Sequence, residues 1–338
     1  MKVLTGYSPL PREGLSRRLI LLVLLFAVAR TCVGGSSAVT ISTESAMRDQ
    51  RGQPLRDCLQ PHIYKFGDTW YAYGFDARDF KSACYSTTNF VAWTQRSEND
   101  PAGQACLFVL YNRKNGEYVG IGQRYGEVAL VYTSPSPTDP FKLRNEMHDY
   151  RGHGLGDITV FQDTDGKAYL VYNKFKGEIP QRFSYIYQMD ENYYDVVESS
   201  LCDTRQVMEG FWMIRRGDVY YLFGSGLWTY DVGDNFYLTA PSPLGPWTYR
   251  GLFVPAGSKT FASQTFRGLE IVGPKGTAYA FIGHRWNGLQ PNKNGGFTNS
   301  CSIWLPLTFN ADASVRELKW CDSWKLDLDG GAPELIEK

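Results

Sequence analysis

The stretch Phe66-Gly67-Asp68-Thr69-Trp70-Tyr71-Ala72-Tyr73 recurs in altered form about every fifty residues of this 338-residue chain. Each copy has a turn containing glycine and then an aromatic-rich apolar run, which is typical of a β-hairpin. The turn glycines stand at positions 67, 116, 166, 217 and 276, so their spacings are 49, 50, 51 and 59 residues. A period of this length is typical of a propeller or a solenoid. Five hairpins, each extended to a four-stranded blade, predict an all-β fold, a five-bladed β-propeller.

The composition agrees with one large β domain. Aromatic residues make up 15% of the chain, including 22 Tyr and 9 Trp, and such residues favour strands. The 35 basic and 35 acidic residues balance, so neither nucleic acid nor an anionic membrane surface is an expected partner. The repeats run without a break, and we predict a propeller domain at 58–328, an N-terminal linker at 36–57 and a C-terminal tail at 329–338. We expect a monomer.

Residues 1–35 have the pattern of a signal peptide. Arg17 and Arg18 precede an apolar core, Leu19–Ala29, and small residues follow it. These 11 residues are too short to span a bilayer comfortably. We therefore predict a secreted, extracellular protein that passes through the secretory pathway, with an uncleaved leader that anchors it to the membrane as the open alternative.

The cysteine count suggests disulfides. Cleavage of the leader would remove Cys32 and leave six cysteines, at positions 58, 84, 106, 202, 301 and 321. An even count in an oxidising compartment is typical of disulfide bonds, although the sequence does not rank the possible pairings. The cysteines have no Cys-x-x-Cys spacing, and the sequence assigns no metal site and no cofactor.

Two carboxylates come just before the first apolar runs of neighbouring repeats, Asp157 before 158–161 and Glu209 before 210–214. The first strand of each blade lines the axis of a propeller, so residues at its start are candidates for a pocket. The candidates at the corresponding positions of blades one and five are Gln60, His62 and Gln264. A partly desolvated carboxylic acid has a raised pKa, and a second carboxylate raises it further. Such a pair is typical of glycoside hydrolysis.

Each candidate also has a structural interpretation. Asp157 could cap a turn, and Gln264 could be a polar core residue. His62 and His284 could be packed, hydrogen-bonded histidines, and Trp228 and Trp286 could belong to the core. Glu209 is harder to explain in this way, because it has no turn role and would be costly to bury without a purpose.

Several phrases of the chain match one known pattern. They are 85–93 (YSTTNFVAW), 156–172 (GDITVFQDTDGKAYLVY), 209–226 (EGFWMIRRGDVYYLFGSG), 235–237 with 240–247, 258–265 (SKTFASQT) and 283–287 (GHRWN). Together they resemble glycoside hydrolase family 43, the clan of five-bladed arabinofuranosidases, xylosidases and galactanases. The last two phrases most resemble the exo-β-1,3-galactanase branch, whose versions read SKTFNSQTT and GDRWNP. The resemblance covers about residues 58–328.

The resemblance implies roles for the candidates. Glu209 would be the general acid, and Asp157 would tune its pKa and hold it in place. Ordinary family members have an Asp base at the position of Gln60 and invert configuration at the anomeric carbon. In the galactanase branch, a Gln at the place of Gln264 has the water-positioning or base role. We expect Glu209 and Gln264 to lie roughly 6.5–9.5 Å apart, as an inverting mechanism requires. The predicted substrate-binding residues are Gln60, His62, Trp228, Asn235, Arg285 and Trp286, with Trp228 and Trp286 stacking on the sugar.

Three positions depart from the branch. The blade-two phrase 105–112 lacks a Glu, Leu155-Gly156 replaces Ser-Arg, and His284 replaces the Asp of GDRW.

The leading hypothesis is a secreted glycoside hydrolase that releases β-linked galactose from a polysaccharide or oligosaccharide substrate. The alternative is a catalytically weak or inactive carbohydrate-binding propeller. A protein-interaction scaffold is a third, weaker interpretation, because a scaffold needs no pair of carboxylates in its pocket.

Overall fold

The computed structural model describes residues 37–55, 58–76, 81–97, 107–138, 140–228, 231–286 and 300–336, and residues 37–338 form one compact unit. The strands of the described residues are β1 (Ala38–Ser42), β2 (Leu59–Phe66), β3 (Thr69–Phe75), β4 (Ser82–Thr87), β5 (Thr94–Ser97), β6 (Phe108–Asn112), β7 (Glu117–Arg124), β8 (Val128–Ser134), β9 (Lys142–Met147), β10 (Leu155–Gln162), β11 (Ala168–Lys174), β12 (Ser184–Gln188), β13 (Cys202–Asp203), β14 (Glu209–Arg216), β15 (Val219–Ser225), β16 (Phe236–Ala240), β17 (Thr248–Leu252), β18 (Gln264–Gly273), β19 (Gly276–Arg285), β20 (Cys301–Leu307), β21 (Ser323–Asp327) and β22 (Glu334–Leu335). The helical segments are two 3-10 turns, Ile179–Gln181 and Glu198–Ser200, and the short α1 (Lys259–Ala262).

The strands form five blades around a common axis. Four blades are four-stranded antiparallel sheets, β2–β5, β6–β9, β10–β13 and β14–β17, and β18–β20 form the fifth within the described residues. The innermost strands contact one another in the order β2, β6, β10, β14, β18 and back to β2. The predicted all-β, five-bladed propeller is therefore confirmed.

The five glycines of the repeat occupy the turns between the first two strands of each blade. Their φ angles are all positive, from +60° at Gly217 to +131° at Gly276. An L-residue with a side chain rarely adopts this conformation, whereas glycine adopts it without steric cost. The repeat thus marks the fold because every blade needs the same tight turn.

The hydrophobic core lies between neighbouring blades. One cluster joins Trp70 and Trp93 of blade one to Leu269 and Trp304 of blade five, and Trp324 of β21 packs into it. Trp93, Trp304 and Trp324 are completely buried, and burial of such a side chain stabilises the fold by about 2–3 kcal/mol. The blades are therefore held together by side chains, which leaves the ends of the axis for polar groups.

The two ends of the described chain form a further sheet rather than a free linker and tail. Residues 38–42, inside the predicted linker, form β1, which pairs with β21, and β22 of the predicted tail pairs with the other edge of β21. Ile41 is buried at 1% exposure, and the carbonyl of Thr43 accepts a hydrogen bond of 2.9 Å from the amide of Trp304 in β20. The alternating apolar residues Val39 and Ile41 give this segment a face to bury.

Four innermost strands begin with an interrupted register against their neighbours. The interruptions lie between Leu59 and His62, Leu155 and Ile158, Glu209 and Trp212, and Thr265 and Arg267. A β-bulge re-aims the side chains around it, and bulges are common next to active sites. The four interruptions lie at the starts of β2, β10, β14 and β18, which carry the candidate site residues predicted from the sequence.

The structure describes none of the predicted leader and five of the six cysteines that follow it. Residues 1–35, predicted as a signal peptide, lie outside the described residues, and no described helix is long and apolar enough to cross a membrane. No disulfide joins two of the described cysteines, at positions 58, 84, 202, 301 and 321, and Cys106 lies outside them. The expected disulfides are therefore not found among these five.

Candidate active site

Glu209 begins the innermost strand of blade four and is almost buried, at 8% exposure. Burial, and then the neighbouring charge of Asp157, raise the pKa of its carboxyl group to about 8. Hydrogen bonds from Gln264 and from the backbone of Trp228 oppose this rise. At neutral pH Glu209 therefore carries a proton, as a general acid must.

Asp157 reaches Glu209 from the neighbouring blade. Its Oδ2 accepts a hydrogen bond of 3.1 Å from the amide of Gly210, the residue that follows Glu209. Burial raises the pKa of Asp157, while the Gly210 amide and the charge of Arg267 oppose that rise. Gly210 has φ +61°, and a Cβ there would stand 2.0 Å from the carbonyl oxygen of Thr265. Only glycine fits this contact between blades three, four and five.

The side chain of Gln264 is held in one orientation. Its Nε2 donates hydrogen bonds to Glu209 Oε1 at 2.9 Å and to Ser225 Oγ at 3.0 Å. Its Oε1 accepts a bond of 2.8 Å from the indole N–H of Trp286, which can only donate. The amide nitrogen must therefore face Glu209, and Oε1 of Glu209 acts as an acceptor. This leaves the proton of the neutral acid on Oε2.

This contact corrects one prediction. A group that positions water on the opposite face of the sugar must stand roughly 6.5–9.5 Å from the acid, so that sugar and water fit between them. Gln264 instead touches Glu209 at 2.9 Å. Its predicted role as the water-positioning group is wrong in this arrangement, and it orients the acid instead.

Gln60 and His62 lie on the axis in blade one. Both are buried, and the amide of Gln60, in a left-handed conformation with φ +48°, donates to Ser302 Oγ at 3.3 Å. The ring of His62 lies 3.8 Å from that of Phe108, and its Nδ1 is 3.3 Å from the hydroxyl of Tyr64. Burial and then the charge of Arg267 lower the pKa of His62 well below its ordinary value, so this ring is neutral.

The two predicted sugar-stacking tryptophans differ. Trp228 is 38% exposed and lies against Gly226 and Gly233, where a Cβ would stand 2.7 and 2.4 Å from its ring. Trp286 is buried at 8% exposure and holds Gln264. Of the two, Trp228 has the exposed ring that a sugar could contact.

His284, at the place of the branch's Asp, stacks on Trp286 with ring centroids 4.1 Å apart. It is fully buried, and neither ring nitrogen has a hydrogen-bond partner in the described structure. Burial lowers its pKa to about 3. The neutral ring fills space behind Trp286.

Asn235 and Arg285 do not have the surroundings of substrate-binding residues. Asn235 is fully buried, and its Nδ2 donates to Thr265 Oγ1 at 2.7 Å. Arg285 donates from Nε to the carbonyl of Phe261 at 3.0 Å and from Nη1 to the carboxylate of Glu44. Both side chains are thus held by protein partners, and their contact with substrate stays a prediction. Asn235 braces the start of β18, because a buried amide needs protein partners.

The structure also explains a departure from the family pattern. A Cβ on Gly156 would stand 2.3 Å from Asn173 Oδ1, so the Asn173 side chain occupies the space of the missing side chain. The carbonyl of Gly156 accepts a hydrogen bond from Gln123. The Asn173 side chain of β11 therefore fills the space that a side chain at position 156 would occupy.

Two residues of the site were not predicted. Ser225 accepts from Gln264, and buried Arg267 lies 4.1 Å from the ring of Phe108 while donating to the carbonyls of Phe266 and Phe211. An arginine inside the apolar run 264–272 was the available signal, since buried charges are rare unless they are paired.

Among the described residues, no cluster of three or more His, Cys, Asp or Glu side chains could hold a metal ion.

Comparisons with known proteins point to one family. Residues 107–248 match the family described as Glycosyl hydrolases family 43. Among curated proteins, β-D-galactofuranosidase xynD of Aspergillus niger is 27% identical over 215 residues, which cover 59% of this chain. The chain matches only 58% of the length of that relative.

Solved structures show the same fold. A candidate exo-β-1,3-galactanase from Bifidobacterium bifidum is 28% identical, with a TM-score of 0.68 over 83% of this chain and 97% of that one. An exo-β-1,3-galactanase variant from Phanerochaete chrysosporium with β-1,3-galactotriose is 24% identical, with a TM-score of 0.74 over 88% and 71% of the two chains. Together with the blade phrases and the propeller, these matches make the chain similar to glycoside hydrolase family 43.

Proposed function

We propose that this protein is a glycoside hydrolase of family 43 that releases terminal galactose from β-1,3-linked galactan or its oligosaccharides. The observation that carries the proposal is the protonated, buried Glu209 beside Asp157 at the entrance of the propeller axis. The galactanase-like phrases, and solved relatives that carry the name exo-β-1,3-galactanase, support the substrate class.

In the proposed reaction, Glu209 donates its proton to the glycosidic oxygen while the bond from that oxygen to the anomeric carbon breaks. Burial and Asp157 keep the acid protonated, and Gln264 fixes its orientation. Water then adds to the anomeric carbon from the opposite face and loses a proton to solvent, and the Glu209 carboxylate regains a proton from solvent. We propose inversion of configuration, which is the outcome that the family phrases imply.

The test is the release of sugar from β-1,3-galactan by the purified domain and by its Glu209→Gln variant. Gln keeps the size of the side chain but has no proton of suitable acidity to donate. We expect a fall in kcat of ~10²–10⁴-fold. Proton NMR of the first product should show galactose of inverted configuration. Release at the same rate by the variant would contradict the acid role, and a retained anomer would contradict inversion.

A second candidate function is a carbohydrate-binding propeller with weak or no turnover. The direct contact between Gln264 and Glu209 favours it, because Gln264 is then not available to position water. This alternative predicts galactan binding without release of sugar, in both the wild type and Glu209→Gln.

We further propose that the protein is secreted as a monomer after removal of its leader. The apolar core Leu19–Ala29 is the sequence feature that supports secretion. Expression of the full chain in eukaryotic cells, with N-terminal sequencing of the protein in the medium and light scattering of that protein, tests both statements. A cell-bound protein that retains Arg17 would contradict secretion.

A further inference from the structure

A cavity extends from the propeller axis to the end opposite Glu209. Its outer chamber, of about 990 Å³, includes Tyr111, Tyr118 and Tyr193, and its inner chamber, of about 530 Å³, includes Thr159 and Glu270. The chambers are contiguous because Tyr64, Lys65, Arg113 and Gln162 line both. We call the two chambers together the lower cavity. Gln162 follows Asp157 by five residues of β10, or about 16 Å, whereas the inner chamber extends back to Thr159, about 7 Å along the strand from Asp157.

The wall of the lower cavity is aromatic. The rings of Tyr111 and Tyr118 lie 4.9 Å apart at 46°, and Tyr64 stacks on Phe66 at 6.0 Å. Tyrosine offers an apolar ring face and a polar hydroxyl at one end. Such a wall suits a ligand that has apolar C–H faces and hydroxyl groups.

Glu270 supplies an unused polar group in the inner chamber. Its carboxyl forms no hydrogen bond or ion pair with another described residue, and burial alone raises its pKa to about 8. At neutral pH the group is protonated, so it can both donate and accept a hydrogen bond. A neutral carboxylic acid is better suited to form hydrogen bonds with a hydroxyl group of a ligand than to bind a cation.

The outer chamber of the lower cavity is lined by equal numbers of basic and acidic residues, namely Lys65, Arg113, Lys114 and Lys167 against Asp163, Asp165, Asp190 and Glu191, and several of them are paired. Lys114 forms an ion pair with Glu191, Lys167 lies 3.5 Å from Asp165, and Asp163 is held by Arg215 at 3.1 Å. Paired charges leave little net field to attract an ion. The cavity is therefore suited to an uncharged ligand, and the volume of each chamber is in the usual range for small-molecule sites.

We propose that the lower cavity is a second, non-catalytic saccharide site that binds the end of a galactose-containing chain. The choice of galactose rests on the proposed function, whereas the choice of an uncharged saccharide rests on the cavity itself. Such a site would hold one end of a polysaccharide while Glu209 cleaves another.

The test is calorimetric titration of the Glu209→Gln variant with β-1,3-galactobiose, with free galactose as a second arm. Glu209→Gln prevents turnover and leaves the lower cavity unchanged. We expect two binding sites for galactobiose, and one site when Glu270→Ala or Tyr111→Ala is added. Tyr249→Ala, which removes an exposed aromatic ring outside the cavity, is the matched control and should keep both sites. A single site that none of these changes affects would overturn the proposal.

A second variant covers the case in which an alanine substitution perturbs the fold. Val272 lines the inner chamber and is 71% exposed, so Val272→Trp should fill the cavity without disturbing the core. It should abolish the second site and leave hydrolysis of a short oligosaccharide unchanged. Binding of free galactose at the second site would identify a site for released sugar, and binding of galactobiose alone would identify a site for the chain end.

The two proposals fail separately. Two binding sites without any release of sugar would contradict the proposed hydrolysis and leave the lower cavity as a saccharide site. Release of sugar with one binding site, unaffected by Val272→Trp, would contradict the lower site and leave the proposed hydrolysis intact.

Discussion

Gln264 Nε2 donates a hydrogen bond of 2.9 Å to Glu209 Oε1, and this bond opposes burial and Asp157, which together still raise the pKa of Glu209 to about 8. The protonation of the candidate acid is therefore set by two neighbours of opposite effect, one on blade three and one on blade five. Each neighbour can be replaced by a side chain of similar size, which allows the two effects to be measured separately.

Asp157→Asn should move the alkaline limb of the pH–activity profile to lower pH. The negative charge of Asp157 raises the pKa of Glu209, so a neutral amide at this position lowers it. Burial is the larger cause and remains, so the limb should stay above the ordinary value of 4.5. The measurement is kcat/KM for galacto-oligosaccharides between pH 4 and 10. A limb that moves to higher pH would show that Asp157 does not act through its charge.

Gln264→Met should move the same limb to higher pH. Met has a similar volume but donates no hydrogen bond, so Glu209 loses a contact that favours its charged form. We also expect kcat to fall about tenfold, since the carboxyl is no longer held in one orientation. The two variants thus predict shifts of opposite sign, and a common direction would contradict this account of the site.

The raised pKa of Glu209 should also make the folded protein less stable as the pH rises. In the unfolded chain Glu209 loses its proton near its ordinary value of 4.5, whereas in the folded chain it keeps that proton up to about 8. The unfolded state then binds fewer protons, so between these values this residue lowers the free energy of unfolding by about 1.4 kcal/mol per pH unit. Urea unfolding of the wild type and of Glu209→Gln at pH 5, 6 and 7 measures this slope.

Glu209→Gln should have the shallower slope, because Gln does not titrate. Glu198→Gln, at an exposed position, is the control and should retain the slope of the wild type. Equal slopes in the wild type and in Glu209→Gln would contradict the raised pKa.

The sequence predicted the features that depend on local rules. The turn glycines revealed the blades, because each hairpin requires a positive φ that glycine adopts easily. Asp157 and Glu209 were found because carboxylates directly before apolar strands are rare. The strand in the predicted linker was missed, because its partner β21 lies almost 300 residues further along the chain.

The contacts within the site could not be predicted in this way. The orientation of Gln264 depends on Trp286, Ser225 and Glu209, which come from three different strands. Asn235 was assigned to the substrate from its motif alone, and only the packing shows that it is buried against Thr265. A motif identifies which residues are present, whereas the register and the bulges decide which of them face the axis.

Gly210 should be the least replaceable glycine of the site. Gly210→Ala forces an L-residue into φ +61° and places its Cβ 2.0 Å from the carbonyl oxygen of Thr265. The strain, together with the forced movement of blade five, should lower the free energy of unfolding by at least about 2 kcal/mol. Gly217→Ala is the matched control, with φ +60° and no atom within 4 Å of the new Cβ. It should cost only the conformational strain of about 1–2 kcal/mol.

The same pair of variants separates stability from chemistry. The Gly210 amide donates to Asp157 Oδ2 at 3.1 Å, so movement of this backbone should also raise the pKa of Asp157 and disturb the acid beside it. We therefore expect Gly210→Ala to lower kcat for galacto-oligosaccharides even at temperatures where the protein remains folded, and Gly217→Ala to leave kcat unchanged. Equal losses of stability in the two variants, with kcat unchanged in both, would show that the contact between blades four and five is looser than the structure places it.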